Sequence, residues 1–108
     1  AAPRSLALDS TLRELVELLD VEAATGHVEV ILHEIEPVVI EADPHALSRS
    51  LFRVLLGAIK AARGGVLYID LFQVPEGGYL CLAPTPGAGV ADADPTPLRV
   101  VIPSFARR

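Results

Sequence analysis

Few side chains in this sequence have a type and spacing that could support catalysis or ion binding. His27, Glu29 and His33 alternate along one stretch, so on a strand they would share a face and could ligate a metal ion. Apolar residues alternate with them throughout the stretch, which is the ordinary pattern of a half-buried strand with a solvated face. We favour that interpretation, and the sequence predicts no metal ligand.

The remaining nucleophile and base candidates are isolated. The single cysteine, Cys81, excludes an internal disulfide and any multi-cysteine metal site. It stands between Leu80 and Leu82, where a buried, unreactive thiol is expected. His45 has no carboxylate at a spacing that would suggest general base catalysis or phosphorylation, and we expect it to be exposed. No catalytic residue is therefore assigned.

Residues 83–90 (APTPGAGV) contain two glycines, Gly87 and Gly89. Asp92 and Asp94 follow the two glycines.

The best-signalled element is a helix between Ala42 and Gly65. Asp43 suits an N-cap, Pro44 suits the first helical position, and Gly64 and Gly65 end the pattern. Apolar residues recur at helical spacing and would form one buried face: Leu47, Leu51, Val54, Leu55, Ala58 and Ile59. The other positions include the basic residues Arg49, Arg53, Lys60 and Arg63. We predict a helix over Pro44–Arg63.

This helix, followed directly by the strand-like run VLYIDLF, resembles the N-box helix of the histidine-kinase ATPase superfamily, the GHKL or Bergerat fold. The residues that carry the resemblance are Asp43-Pro44, Leu47, Leu51, Val54-Leu55 and the AIKA segment at 58–61. The resemblance implies a domain like the catalytic domain of a sensor histidine kinase, acting in two-component signalling.

The same resemblance implies where a nucleotide would be held, and there the sequence departs from the family pattern. The two N-box asparagines fall at Arg53 and Gly57, and neither residue offers the neutral oxygen donor that Mg²⁺ accepts. The G1 box falls on residues 83–90, where Gly87 and Gly89 remain. No aspartate precedes them to bind the adenine amino group, and the two later aspartates stand on the wrong side.

The nucleotide lid also has no counterpart. The family places a lid and a second glycine-rich box of several dozen residues before the last strand, whereas this chain has only the residues 91–97 (ADADPTP). The resemblance therefore implies a degenerate domain without a cofactor, in which Arg53, Gly57, Gly87 and Gly89 are remnants of a nucleotide site.

The other elements fit the same architecture. We predict a first helix over Ser10–Thr25, capped near Ser10 or Thr11, with the acidic residues on its outer side. The predicted strands are residues 27–33, 38–42, 66–74, 79–83 and 97–103, of which the third and fourth form a hairpin. The expected fold class is α/β (α+β): a two-layer, Bergerat-like sandwich with a mixed, largely antiparallel sheet and both helices on one face.

Composition limits the remaining possibilities. With 108 residues, 51% of them hydrophobic, the sequence predicts one domain, residues 1–108. A net charge of −5 without a basic cluster argues against nucleic-acid binding. The apolar runs are too short to span a bilayer, so we expect a soluble, cytoplasmic domain that does not contact the membrane. The absence of methionine suggests a piece of a longer protein.

Three functions from different classes remain. The preferred one is a non-catalytic signalling or interaction module, a pseudokinase, that docks a response regulator, a phosphotransfer domain or a sensor domain. The second is a divergent catalytic domain that still binds ATP, a transferase of the histidine-kinase type. The third is a dimerisation domain, because apolar surface left by a lost lid would need cover from a second copy. The sequence favours the non-enzyme without deciding the matter.

Overall fold

The computed structural model describes residues 3–89 and 96–105. Its elements in chain order are β1 (Arg4–Ala7), α1 (Leu8–Leu18), α2 (Asp20–Thr25), β2 (Glu29–Ile35), β3 (Val39–Ala42), α3 (Pro44–Ala61), β4 (Val66–Val74), β5 (Gly77–Thr85) and β6 (Leu98–Pro103).

The strands form a main sheet and a small ladder. The main sheet has the order β2-β4-β5-β6, and β1 pairs with β3 in an antiparallel ladder. Strands β2 and β4 are parallel because the connection between them crosses over through α3, whereas β4-β5 and β5-β6 are antiparallel neighbours. The sheet is thus mixed and largely antiparallel with the helices on one face, which confirms the predicted fold class.

The core lies between the helices and the main sheet. Helix α1 packs on α3, and α3 packs on β5. Among the described residues, the largest fully buried side chains are these: Leu8, Leu12, Leu19, Val38, Ile40, Leu55, Leu67, Ile69, Leu71, Leu80 and Leu82. The apolar face predicted for the helix after Asp43 is the face that the structure buries.

The first helix differs from the prediction at its start and in its middle. It begins at Leu8, and neither Ser10 nor Thr11 caps it; the hydroxyl of Thr11 donates to the carbonyl of Ala7 at 3.3 Å. Strand β1, which was not predicted, runs directly into the helix, and the N–H of Leu8 donates to the carbonyl of Val38 at 2.7 Å. A tertiary hydrogen bond therefore takes the place of a side-chain cap. The helix breaks at the buried Leu19, which separates α1 from α2.

Two other boundaries shift by a few residues. His27 lies in a turn with φ of 54°, so the strand begins at Glu29 and runs to Ile35. Helix α3 ends at Ala61, earlier than the predicted Arg63, and Gly64 follows with φ of 78°. The hairpin of β4 and β5 and the last strand lie where the sequence predicted them, although β5 is longer at both ends.

Asp43 is the N-cap of α3, as predicted. Its Oδ1 accepts hydrogen bonds from the N–H groups of His45 at 3.0 Å and Ala46 at 3.4 Å. Partial loss of hydration alone would raise the pKa of the Asp43 carboxyl, but these hydrogen bonds outweigh it and hold the pKa below the ordinary value of 3.8.

We expect this cap to stabilise the fold above pH 3.8 and to lose that contribution as the pH falls through the lower native pKa. The reason is that the unfolded state takes up the proton first, so acid favours unfolding. The Asp43→Asn variant keeps a good N-cap that does not titrate. Thermal melts of both proteins at about pH 5 and about pH 2 should show a smaller loss of Tm in the variant. An equal loss in both proteins would contradict the expectation.

No helix in residues 3–89 and 96–105 is both long and apolar enough to cross a membrane.

Candidate functional site

The two N-box positions lie on the exposed side of α3. Arg53 and Gly57 are four residues apart, one helical turn, and both are exposed. A Cβ atom placed on Gly57 would have no neighbour within 4 Å. Gly57 is therefore not a site of close packing between α3 and another element. Glycine at this exposed helical position costs about 1 kcal/mol relative to alanine, and no packing contact explains it.

The positions of the G1 box serve a structural contact. The N–H of Gly87 donates to the carbonyl of Arg63 at 3.0 Å, and a Cβ on Gly87 would lie 2.6 Å from the carbonyl oxygen of Gly64. The main chain after β5 is thus pressed against the turn after α3. Gly89 has φ of 81° and open surroundings, as in an exposed turn. The absence of a side chain at Gly87 is explained by this packing without any ligand.

The structure places Arg53 and Gly57 beside one groove, and Gly87 and Gly89 lie outside that groove. Arg53 and Gly57 line a shallow groove of about 320 Å³ between α3 and the strands β5 and β6, and Gly87 and Gly89 do not line it. Among the residues that the structure describes, its charged lining group is the guanidinium of Arg53, and none of its lining residues carries a carboxylate. Because Mg²⁺ prefers several oxygen ligands of negative or neutral character, this donor set does not suit a magnesium-bound nucleotide. The lid prediction concerns residues 91–97, which lie outside the described residues except for Thr96 and Pro97.

A second groove along α3 was not predicted as a site. It has a volume of about 290 Å³ and lies between the N-terminal half of α3 and β6; we refer to it as the α3–β6 groove. Its lining is mostly apolar and includes Leu47, Leu51, Val54, Val100, Ile102 and Phe105. The signal in the sequence was the alternation of apolar residues in LRVVIP, which marks one face of the last strand for burial.

The predicted polar face of β2 is present in part. Glu29 and His33 are exposed, whereas His27 lies in the preceding turn and does not share the strand. His33 Nδ1 lies 2.8 Å from Asp70 Oδ1, and the N–H of Glu34 donates to the same oxygen at 2.9 Å.

This arrangement has a structural explanation. Ligand atoms of His33, Glu34 and Asp70 lie within 4.8 Å of one another. The contacts of Asp70, however, stabilise the register shift between Leu32 and Glu34 where β2 pairs with β4. We therefore interpret the group as the clamp of a β-bulge. Cys81 was predicted to be buried, but it is only half-buried, because it lies on the opposite face of β5 from the buried Leu80 and Leu82. His45 is exposed, as predicted.

Comparison by sequence gives no relative. No protein-family model matches the chain, and no curated protein matches it.

Comparison by structure gives a consistent result. The chain is similar to the nucleotide-free catalytic domain of the histidine kinase ThkA, with a TM-score of 0.67 at 18% identity over 76% of this chain and 58% of that one. It is similar to the mycobacterial sensor histidine kinase MprB, with a TM-score of 0.64 at 20% identity over 74% of this chain and 53% of that one. It is also similar to ThkA in the complex with the response regulator TrrA, with a TM-score of 0.65 at 18% identity over 74% of this chain and 25% of that one.

These likenesses show the fold. The chain has the fold of a histidine-kinase ATPase domain, and the predicted resemblance is confirmed at that level. It spans little more than half the length of the first two of these structures.

Proposed function

We propose that this domain, with the fold of a histidine-kinase ATPase domain, is a non-catalytic signalling module that docks a protein partner and does not process nucleotide. The observation that carries the proposal is the pair Arg53 and Gly57, exposed on α3 beside a groove to which the described residues contribute no carboxylate. On the helix that resembles an N-box, Arg53 and Gly57 stand where the family has its two asparagines. The fold provides a surface on which a partner can dock, and neither Arg53 nor Gly57 has a side-chain oxygen that could bind Mg²⁺.

One of the structural comparisons supports a partner class to test. ThkA is a histidine kinase of the same fold, and it forms a complex with the response regulator TrrA. We propose a response regulator as the first partner to test, with a phosphotransfer domain or a sensor domain as the next. Fold alone does not determine function, so this assignment depends on the experiments described here.

The test of lost nucleotide binding is a titration of the protein with Mg-ATP and with Mg-ADP. We expect no heat of binding and no rise in Tm with added nucleotide, since a ligand that binds the native state must raise Tm. Two polar contacts are missing, the N-box Mg²⁺ ligand and the adenine-binding aspartate. Each is worth about 1–3 kcal/mol, so in the middle of that range their joint loss raises Kd by about a thousandfold, from micromolar to millimolar.

The positive control is a histidine-kinase catalytic domain that retains both asparagines and the aspartate, titrated in the same buffer. It should give saturable heat and a higher Tm. A saturable micromolar signal from the present chain would instead support the divergent ATP-binding enzyme, because an asparagine at position 57 and an aspartate before Gly87 would then have proved dispensable.

A further inference from the structure

In residues 3–89 and 96–105, the helical layer does not extend over β6. Helix α3 packs on β5, and β6 is joined to the sheet chiefly through its ladder with β5. Leu98, Val100 and Ile102 share one face of β6 because side chains alternate along a strand. Ile102 belongs to the core, Val100 packs against it, and Leu98 is 43% exposed. An apolar strand face next to a helix requires cover in a two-layer fold, so this part of the sheet has room for one more element.

The space beside α3 is continuous and has the length of a short helix. The α3–β6 groove and the shallow groove next to it share Val54 in their linings, and together they follow α3 from Ala46 to Ala61. That distance corresponds to about 23 Å, or about four turns of a helix laid parallel to α3. Phe105 stands at the edge of the groove and is 57% exposed.

The flank of this space is positively charged. Two basic residues of α3, Arg49 and Arg53, lie beside it, and α3 contains no acidic residue, although the whole chain carries a net charge of −5. Arg49 and Arg53 are exposed, and with Ala46 and Ser50 they line the surface next to the α3–β6 groove. Neither arginine forms an ion pair with the residues that the structure describes. The acidic residue at the end of the groove, Asp43, is engaged by the N-terminus of α3.

We propose that the α3–β6 groove docks one amphipathic helix of the partner protein, with apolar residues at helical spacing on one face and Asp or Glu on the flank that meets Arg49 and Arg53. This inference rests on the proposed function, because it specifies how that module binds its partner. The apolar residues of the partner helix would cover Leu98 and the exposed part of Val100, and its carboxylates would pair with the two guanidinium groups.

A second copy of this chain fits the groove less well. The acidic helices α1 and α2 bury their own apolar residues in the core, and the large apolar side chains they expose are Leu18, at 68%, and Val21, at 71%. Two anchors cover little of a groove four turns long. Insertion of one copy into the next would also be head-to-tail, a contact that need not close into a defined oligomer.

The test uses two synthetic, fluorescently labelled peptides of about four helical turns. Both carry leucine on one face; one has glutamate on the flank, and the matched control has lysine at the same positions. We expect fluorescence anisotropy to show saturable binding of the glutamate peptide and binding of the lysine peptide at least about tenfold weaker, because opposite charges set the specificity.

Variants then locate the contact. The Arg49→Glu/Arg53→Glu double variant should reverse the preference between the two peptides. The control variant Lys60→Glu also reverses a positive charge at an exposed position of α3, but Lys60 lines a different groove. This variant should keep the affinity for the glutamate peptide within about twofold of the original value. Leu98→Ser, at an exposed position of β6, should weaken binding of the glutamate peptide.

Several results would overturn the inference. These are no binding of the glutamate peptide, equal binding of both peptides, no effect of the double variant, or a molecular mass that doubles with concentration and falls to the monomer in the double variant. Nucleotide titration of the same sample keeps the two proposals distinct. Heat with Mg-ATP would remove the proposed function, whereas failure of the peptides without such heat would remove only the groove as the docking surface.

Discussion

Replacing Leu55 with alanine is expected to lower the free energy of unfolding by about 2–5 kcal/mol. Leu55 is 1% exposed and belongs to the core that α3 forms with α1 and the main sheet. The substitution removes buried methyl groups and leaves a cavity that the surrounding leucines fill only in part. Leu51, which is 4% exposed on the same face, should behave alike.

Urea unfolding followed by circular dichroism measures the loss, and Arg49→Ala on the exposed side of α3 is the matched control. That control should change stability by no more than about 0.5 kcal/mol. Equal and small losses for Leu55→Ala and Arg49→Ala would mean that α3 presents another face to the sheet, and the α3–β6 groove would then be wrong as well.

Replacing Gly65 with alanine should cost about 3 kcal/mol, because the new Cβ would overlap the carbonyl oxygen of Thr85. It would also lie 2.9 Å from the carbonyl carbon of Pro86 and 3.0 Å from the nitrogen of Gly87. All three neighbours are backbone atoms, so no side-chain rotation can relieve the contact.

The same substitution at Gly57 provides the control with the opposite sign. A Cβ there has no neighbour within 4 Å, and alanine is the better helix former, so Gly57→Ala should stabilise the fold by up to about 1 kcal/mol. Denaturant melts of the two variants side by side measure both effects. A comparable loss at both positions would show that the exposed side of α3 is covered in solution.

Helix α3 and the β4–β5 hairpin could be predicted because their signals are local. The Asp43 cap, Pro44 and the glycines after the helix stand next to the element that they delimit. The turn of Pro75 and Glu76 likewise joins two strands that pair with each other. The spacing of the apolar residues on α3 predicted which face of the helix is buried, because the helical period alone determines which side chains lie on the same face.

The candidate site could be predicted only in its residue types. The sequence identified Arg53, Gly57, Gly87 and Gly89 as positions that differ from the family pattern. It did not predict that Gly57 is open to solvent while Gly87 is packed against the turn after α3, because the latter contact joins segments more than twenty residues apart.

The sequence by itself determined the apolar pattern of the helices and strands and the capped start of α3. It also determined that Arg53 and Gly57, at the positions that resemble the N-box, carry no Mg²⁺ ligand. Tertiary structure alone decided the early start of α1 on the Val38 carbonyl, the bulge that Asp70 fastens in β2, and the uncovered face of β6. The physical reason is the range of the interactions. Capping and periodicity act within a few residues, whereas pairing of β1 with β3 and the layer missing over β6 depend on which distant segments meet.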